Sequence, residues 1–131
     1  MKLITAFLIL FSNLSLAQIT TQETYRRGQM IYNEFCVRCH RPDGGGIKGI
    51  FPPLAKADYL KNIKETIRSI AFGLKGPIVV NGVNYDNSMA PMGLDDQEVA
   101  DVTNYILNSW GNQHDEEITI KDIQMLNSDK P

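Results

Sequence analysis

Two cysteines and a histidine stand together in the segment Cys36-Val37-Arg38-Cys39-His40, which holds the only two cysteines of the 131-residue chain. Cysteines three positions apart on one helical turn present both sulfur atoms to the same side. This spacing suits the two vinyl groups of haem, so that each thiol forms one thioether bond. The imidazole that follows is then placed under the iron as a proximal ligand. The segment therefore predicts one c-type haem, covalently attached through Cys36 and Cys39, with His40 on the iron.

Three other functions for the two thiols are less well supported by the sequence than haem attachment. A thioredoxin-like redox pair needs a preceding strand and an α/β frame, and no strand pattern precedes Cys36. A structural zinc site needs four protein ligands, whereas the chain contains two cysteines and two histidines. A disulfide between Cys36 and Cys39 would close almost no loop and add little stability.

The first 17 residues have the features of a secretory signal. Lys2 precedes a short apolar run, and Ser15-Leu16-Ala17 supplies the small residues that a signal peptidase reads. The apolar run is too short to be a convincing membrane span, although an uncleaved anchor is the alternative. We expect cleavage after Ala17 and one domain over residues 18–131, with no stable membrane insertion. The net charge of −2 gives the chain no reason to bind nucleic acid.

Apolar periodicity predicts three main helices separated by long loops. The first helix runs from Glu23 to about Cys39, and Gly28 within it predicts a close approach by another backbone. The second begins at Ala57-Asp58, with Asp58 as a plausible cap, and Gly73 ends it. The third follows Asp95, which forms a capping-box pattern with Glu98, and extends to Gly111-Asn112. A small hairpin is possible at residues 78–83, and the tail 112–131 is either a short packed helix or a frayed end.

The loop between the first two helices carries Pro52 and Pro53, whose carbonyls are free to accept hydrogen bonds. An imidazole bound to iron normally donates its other N–H to an acceptor outside the metal's own ligands. We expect the carbonyl of Pro52 to be that acceptor, with Pro53 as the second choice and a plain polyproline-type spacer as the alternative.

The sixth iron position is best filled by methionine sulfur, a soft ligand that raises the haem potential. His114 lies in a charged tail and is expected to be solvated. Met30 falls on the apolar side of the first helix and is expected in the core, and Met125 lies in the tail. Met89 and Met92 remain, because both stand in a proline-containing loop that can hold a thioether over an iron.

Several segments taken together resemble the class I cytochromes c of the small bacterial periplasmic type. The resemblance covers Tyr25 to Asn112, and the matching segments are Gly28, Tyr32, Cys36–His40, Phe51-Pro52-Pro53-Leu54, Met89-Ala90-Pro91, Leu94–Ala100, Asn104-Tyr105-Ile106 and Trp110-Gly111-Asn112. It implies that Met89 is the distal ligand, with Met92 as runner-up, and that the first and last main helices cross at Gly28 and Tyr105. Ala90 is a departure, because the family usually has proline directly after the ligand methionine.

The resemblance implies an all-α cytochrome c fold around one covalent haem, and a periplasmic carrier of single electrons that is not an enzyme. Its iron would be ligated by His40 and Met89, and its partners would be redox proteins that dock transiently near Val37, Arg38 and the Met89 loop. Two alternatives stay open: an electron-transfer subunit of a larger dehydrogenase or reductase complex, and a haem sensor or enzyme with an open sixth position.

Overall fold

The computed structural model describes residues 21–128, and within them the chain forms four helices and one small hairpin. Helix α1 spans residues 21–40, and its course contains a π-helical turn over Tyr32–Cys36 before the final turn Val37–His40. A 3₁₀ turn, Asp58–Lys61, leads into α2, Ile63–Phe72; α3 is Asp96–Leu107 and α4 is Ile120–Ser128. Strands β1, Ile78–Val80, and β2, Val83–Tyr85, pair antiparallel, with Ile78 opposite Tyr85. The predicted all-α class is confirmed. The signal prediction for residues 1–17 lies outside the described residues.

Helices α1 and α3 cross at Gly28, as the sequence predicts. A Cβ atom added at Gly28 would overlap the carbonyl oxygen of Asp101 and lie 2.7 Å from the Cβ of Tyr105. Only glycine therefore lets the two backbones come this close. Tyr32, one turn further along α1, is fully buried and its ring packs against those of Tyr105 and Trp110.

The prediction that Met30 belongs to the core is wrong, because its side chain is 58% exposed. The buried side of α1 is the one that carries Gly28 and Tyr32, where α3 crosses. Met30 stands two residues from Gly28, and two residues correspond to more than half a turn of an α-helix. The face of α1 that meets α3 is marked by a glycine rather than by large apolar residues, so Met30 was assigned to the wrong side.

The ends of α2 and α3 are set by side-chain caps, one of which the sequence reading missed. Asn62, not Asp58, caps α2, and its side chain accepts a hydrogen bond from the amide of Glu65 at 3.2 Å. The carboxylate of Asp58 instead accepts from the amide of Asn81 in the hairpin turn. The capping box of Asp95 and Glu98 is confirmed at the start of α3.

Helix α3 ends earlier than predicted, at Leu107, so that Trp110 lies in the turn beyond it. The segment that follows is held to α3 by the buried side chain of Asn104, which donates to the carbonyl of Ile118 and accepts from its amide, both at 2.8 Å. The tail then forms α4, which buries Ile123 and Leu126. Of the two alternatives for the tail, the packed helix is the one observed. Across residues 21–128, the helices all fall short of the length and apolarity that crossing a membrane requires.

Candidate haem site

The two thiols and the imidazole are carried by the last turns of α1, where the helix widens. The amide of Val37 bonds to the carbonyl of Tyr32, five residues back, and Cys36 closes this π-helical turn. Cys39 and His40 follow on the next α-helical turn, and Arg41 ends the helix with a φ of 67°. Single π-helical turns inside α-helices are frequent at functional sites.

The imidazole of His40 is fixed by the loop that carries Pro52. Its Nδ1 lies 2.9 Å from the carbonyl oxygen of Pro52. A carbonyl can only accept, so Nδ1 carries the proton and Nε2 is left with a free lone pair. The hydrogen bond expected from the sequence is present, whereas the part that Pro52 plays towards bound haem stays a prediction. A Cβ at Gly46 would lie 2.6 Å from the same carbonyl oxygen, so glycine is what lets the loop close here.

Burial keeps the side chains of Cys36 and His40 uncharged. It lowers the pKa of His40, and the hydrogen bond to Pro52 offsets this only in part. The ring is therefore neutral at pH 7, as a metal ligand must be. Burial also raises the pKa of Cys36 to about 11. Redox-active thiol pairs need a lowered thiol pKa, so this environment disfavours the thioredoxin-like reading.

Met89 and Met92 lie on the loop between β2 and α3, and both side chains line the same cavity as Cys36 and His40. The main chain of Met89 pairs with Leu74, just after α2, through two hydrogen bonds of 2.8 Å. The loop is tied a second time by the side chain of Asn87, which donates to the carbonyl of Ile50 at 3.0 Å. His114 is not among the residues that line the cavity.

The cavity is an apolar cleft, and cofactor sites in proteins are typically concave and mostly apolar. Its walls are contributed by α1, both long loops, the hairpin, α2 and α3. Lining residues include Cys36, His40, Pro52, Pro53, Leu54, Leu60, Ile70, Leu74, Val80, Met89, Met92, Val102 and Ile106. A flat apolar group with a metal at its centre suits these walls, with nitrogen and sulfur donors available to the metal and the thiol of Cys36 on the wall to anchor the group.

Three hydroxyl groups on the cavity wall were missed by the sequence analysis. The hydroxyl of Thr66 donates to the carbonyl of Asn62, and that of Ser69 donates to the carbonyl of Glu65. Tyr59 lies 3.0 Å from the oxygen of Ser69 and must be the donor there, because the proton of Ser69 is already used. Each hydroxyl proton is thus donated in a hydrogen bond within the protein, so no unpaired donor faces the cavity from these three side chains. Only the helical spacing of Thr66 and Ser69 hinted at this, since back-bonding hydroxyls are common in helices.

Comparison with known sequences gives a consistent answer. The profile of the Cytochrome c family matches residues 25–110. The chain is 37% identical over 116 residues to a cytochrome c-552 of Thermus thermophilus, covering 84% of this chain and 72% of the relative. It is 34% identical over 107 residues to the cytochrome c subunit of the quinone alcohol dehydrogenase of Gluconacetobacter polyoxogenes, covering 76% of this chain but 22% of that subunit. It is 32% identical to the gluconate 2-dehydrogenase cytochrome c subunit of Pantoea cypripedii, covering 79% of this chain and 24% of the relative.

Proposed function

Because this chain belongs to the cytochrome c family, we propose that it carries single electrons between redox proteins outside the cytoplasm, with its iron held between His40 and Met89. Its cofactor is one covalently bound haem c, and electron transfer is its activity. The finer assignments, namely the residues, the partners, the location and the absence of enzymatic turnover, are the proposal.

Haem supplies a one-electron couple, because its iron alternates between the ferric and ferrous states. Cys36 and Cys39 would hold the group by two thioether bonds at the end of α1. His40 would bind the iron through Nε2, since its Nδ1 proton is engaged by Pro52. That hydrogen bond orients the ring and makes it a better donor. The apolar walls exclude water and so favour a high reduction potential.

The observation that carries the proposal is the fixed main chain of Met89 on the same cavity as His40. Electron carriers work best when the iron keeps both ligands in both oxidation states, because little then has to move. Two main-chain hydrogen bonds to Leu74 hold Met89 at the cavity wall. Met92 lies three residues further, beyond Pro91, and is the second candidate.

The first test is a pair of methionine variants in the full chain with its signal, produced in a host that matures c-type cytochromes. We expect the ferric wild-type protein to show the weak far-red band that marks sulfur on iron. Met89→Ala should abolish the band and lower the reduction potential, while Met92→Ala keeps both. Loss of the band in Met92→Ala alone would exchange the two roles. A high-spin wild-type spectrum would mean an open sixth position and would overturn the carrier assignment.

A second candidate function is electron entry within a larger dehydrogenase. It is favoured by the similarity to dehydrogenase cytochrome c subunits, although the chain spans only about a fifth of their length. A mobile carrier and a dehydrogenase subunit would use the same haem site. They differ in how long the protein stays bound to its redox partner. Size-exclusion chromatography of the matured protein with the dehydrogenases of its own cell separates them, because a subunit co-elutes and a transient carrier does not.

A further inference from the structure

We propose that the end of α2 positions the iron-ligating methionine. Gly73 and Leu74 set where the main chain of Met89 lies, and Asn87 holds the same loop at a second point. The inference rests on the proposed role of Met89 and goes beyond it. It assigns the strength of the iron–sulfur bond to residues that touch neither the iron nor the haem-attachment segment.

The first tie joins Met89 to the residue that follows α2. The amide of Leu74 donates to the carbonyl of Met89, and the amide of Met89 donates to the carbonyl of Leu74, both at 2.8 Å. This is an isolated antiparallel bridge, in which two residues exchange both hydrogen bonds. It fixes the direction of the Cα–Cβ bond of Met89, and with it the side from which the thioether enters the cavity.

The position of this bridge depends on the missing side chain of Gly73. Gly73 ends α2 with a φ of +77°. A Cβ atom there would overlap the carbonyl oxygen of Met89 and would lie 2.9 Å from the nitrogen of Pro91. The space next to Gly73 is therefore occupied by the main chain of the ligand loop itself. Because the overlapping atoms are backbone atoms on both sides, a methyl group can be accommodated only if the loop moves.

The second tie lies two residues before Met89. The side-chain amide of Asn87 donates to the carbonyl of Ile50 at 3.0 Å, joining the ligand loop to the turn 47–51. That turn leads directly into Pro52, whose carbonyl holds His40. The two sides of the site are thus linked through the protein, one by α2 and one by this turn.

The test compares Gly73→Ala with Gly82→Ala in the matured haem protein. Gly82 has a φ of +76° and an added Cβ would meet nothing within 4 Å. Both variants place a side chain at a positive φ, and the ψ of 179° at Gly73 adds strain there. Only Gly73→Ala also places its Cβ against the main chain of Met89, so the far-red band and the imidazole affinity, rather than stability, report the positioning role. The measurements are thermal unfolding, the far-red band, and the affinity of the ferric protein for added imidazole, which competes for the place of the methionine sulfur.

We expect both variants to unfold at lower temperature. In Gly73→Ala alone, the far-red band should weaken and the affinity for imidazole should rise roughly tenfold. A tenfold change corresponds to a free energy near the lower end of the usual cost of overpacking a well-packed site. A Gly73→Ala protein with the band and imidazole affinity of Gly82→Ala would overturn the proposal. If Gly73→Ala fails to mature, Asn87→Ala replaces it as the test, and the exposed Asn84→Ala serves as its control. An Asn87→Ala protein whose imidazole affinity equals that of the control overturns the positioning role.

The ligand role of Met89 and the positioning role of Gly73 are overturned by different results. A wild-type protein without the far-red band, or a Met89→Ala protein that keeps it, removes the ligand assignment and this inference with it. A band that Met89→Ala abolishes but Gly73→Ala leaves intact removes the positioning role alone.

Discussion

Asp101 is a carboxylate buried where α1 and α3 cross, with a side chain only 2% exposed. The guanidinium of Arg27 binds both of its oxygens, at 2.5 and 3.1 Å, and the side chain of Gln97 donates to one of them at 2.9 Å. The carboxylate raises the pKa of Arg27, chiefly through the hydrogen bond between them. A buried charge with these partners ties the two helices together next to Gly28.

Arg27→Met should therefore destabilise the folded protein by about 2 kcal/mol. Removing one partner of a fully buried pair costs about 3–5 kcal/mol, but the Arg27 side chain is 40% exposed and Gln97 still donates. Chemical denaturation at pH 7 measures the change. Arg26→Met is the matched control, because Arg26 is exposed and its contacts, with Glu23 and Met30, lie along its own helix. Equal effects of the two substitutions would show that the ion pair contributes nothing specific.

At the level of residues, the grouping of Cys36, His40, Pro52 and Met89 around one cavity was predictable, and the contacts that shape the cavity were not. Their roles towards haem stay predictions. The spacing of the two cysteines and the histidine predicts haem attachment at Cys36, Cys39 and His40. The carbonyl of Pro52 was predicted because an iron-bound imidazole needs a hydrogen-bond acceptor. The pairing of Leu74 with Met89 joins two loop positions whose separation no local pattern encodes. The overlap at Gly73 is likewise invisible in a sequence, where this glycine reads as a helix end.

The first turn of α4 is held by a contact that depends on pH. The carboxylate of Asp122 accepts hydrogen bonds from the hydroxyl and the amide of Thr119, at 2.7 and 2.8 Å. These bonds, led by the one from the hydroxyl, lower the pKa of Asp122 below its ordinary value of 3.8. Since the pKa is lower in the folded state, the stabilisation is present above 3.8 and is lost as the pH falls through the folded value.

We expect the amides of α4 to exchange hydrogen faster as the pH is lowered below about 4, once the intrinsic pH dependence of exchange is subtracted. Nuclear magnetic resonance resolves these amides individually. Asp122→Asn should remove this pH-dependent component, whereas the exposed Asp115→Asn should leave it in place. The same pH-dependent loss of protection in both variants would place its cause elsewhere in the chain.

The elements were predictable where local patterns decide them. The capping box of Asp95 and Glu98 located the start of α3 correctly. The start of α2 was misplaced because Asp58 and Asn62 are both good capping residues, and only the hairpin turn at Asn81 shows which one is already engaged. The π-helical turn Tyr32–Cys36 has no sequence signature. It begins at Tyr32, whose ring packs against Tyr105 of α3 and whose hydroxyl donates to the carbonyl of Arg41, contacts that only the folded chain brings together.

Charge is divided unevenly along the whole molecule. Residues 35–75, which supply Cys36, His40 and Pro52 to the cavity, contain eight basic and three acidic residues. Residues 76–131 contain two basic and ten acidic residues. The overall charge of −2 conceals this asymmetry along the sequence. We expect the basic segment to attract anionic partners towards the haem-site residues that it carries.

Lys48→Glu should slow the oxidation of the reduced protein by ferricyanide, a small anionic oxidant, by roughly twofold to tenfold at low salt. Lys48 lies in the turn 47–51, which Asn87 ties to the Met89 loop. Lys121→Glu makes the same change of charge within the acidic half and should have a smaller effect. Stopped-flow measurements should show the two rates converging near about 1 M salt, where screening is nearly complete. Equal slowing by both variants would mean that net charge alone acts.

The apolar cleft is lined by residues of the hydrophobic core, among them Leu60, Ile70, Val80, Val102 and Ile106. A group bound there would therefore add to the packed interior of a small domain. We expect a copy that lacks haem to open more often and to be cut faster by proteases, because degradation follows the population of the open form. Haem attachment would then also decide which copies persist, and copies unable to accept an electron would be removed.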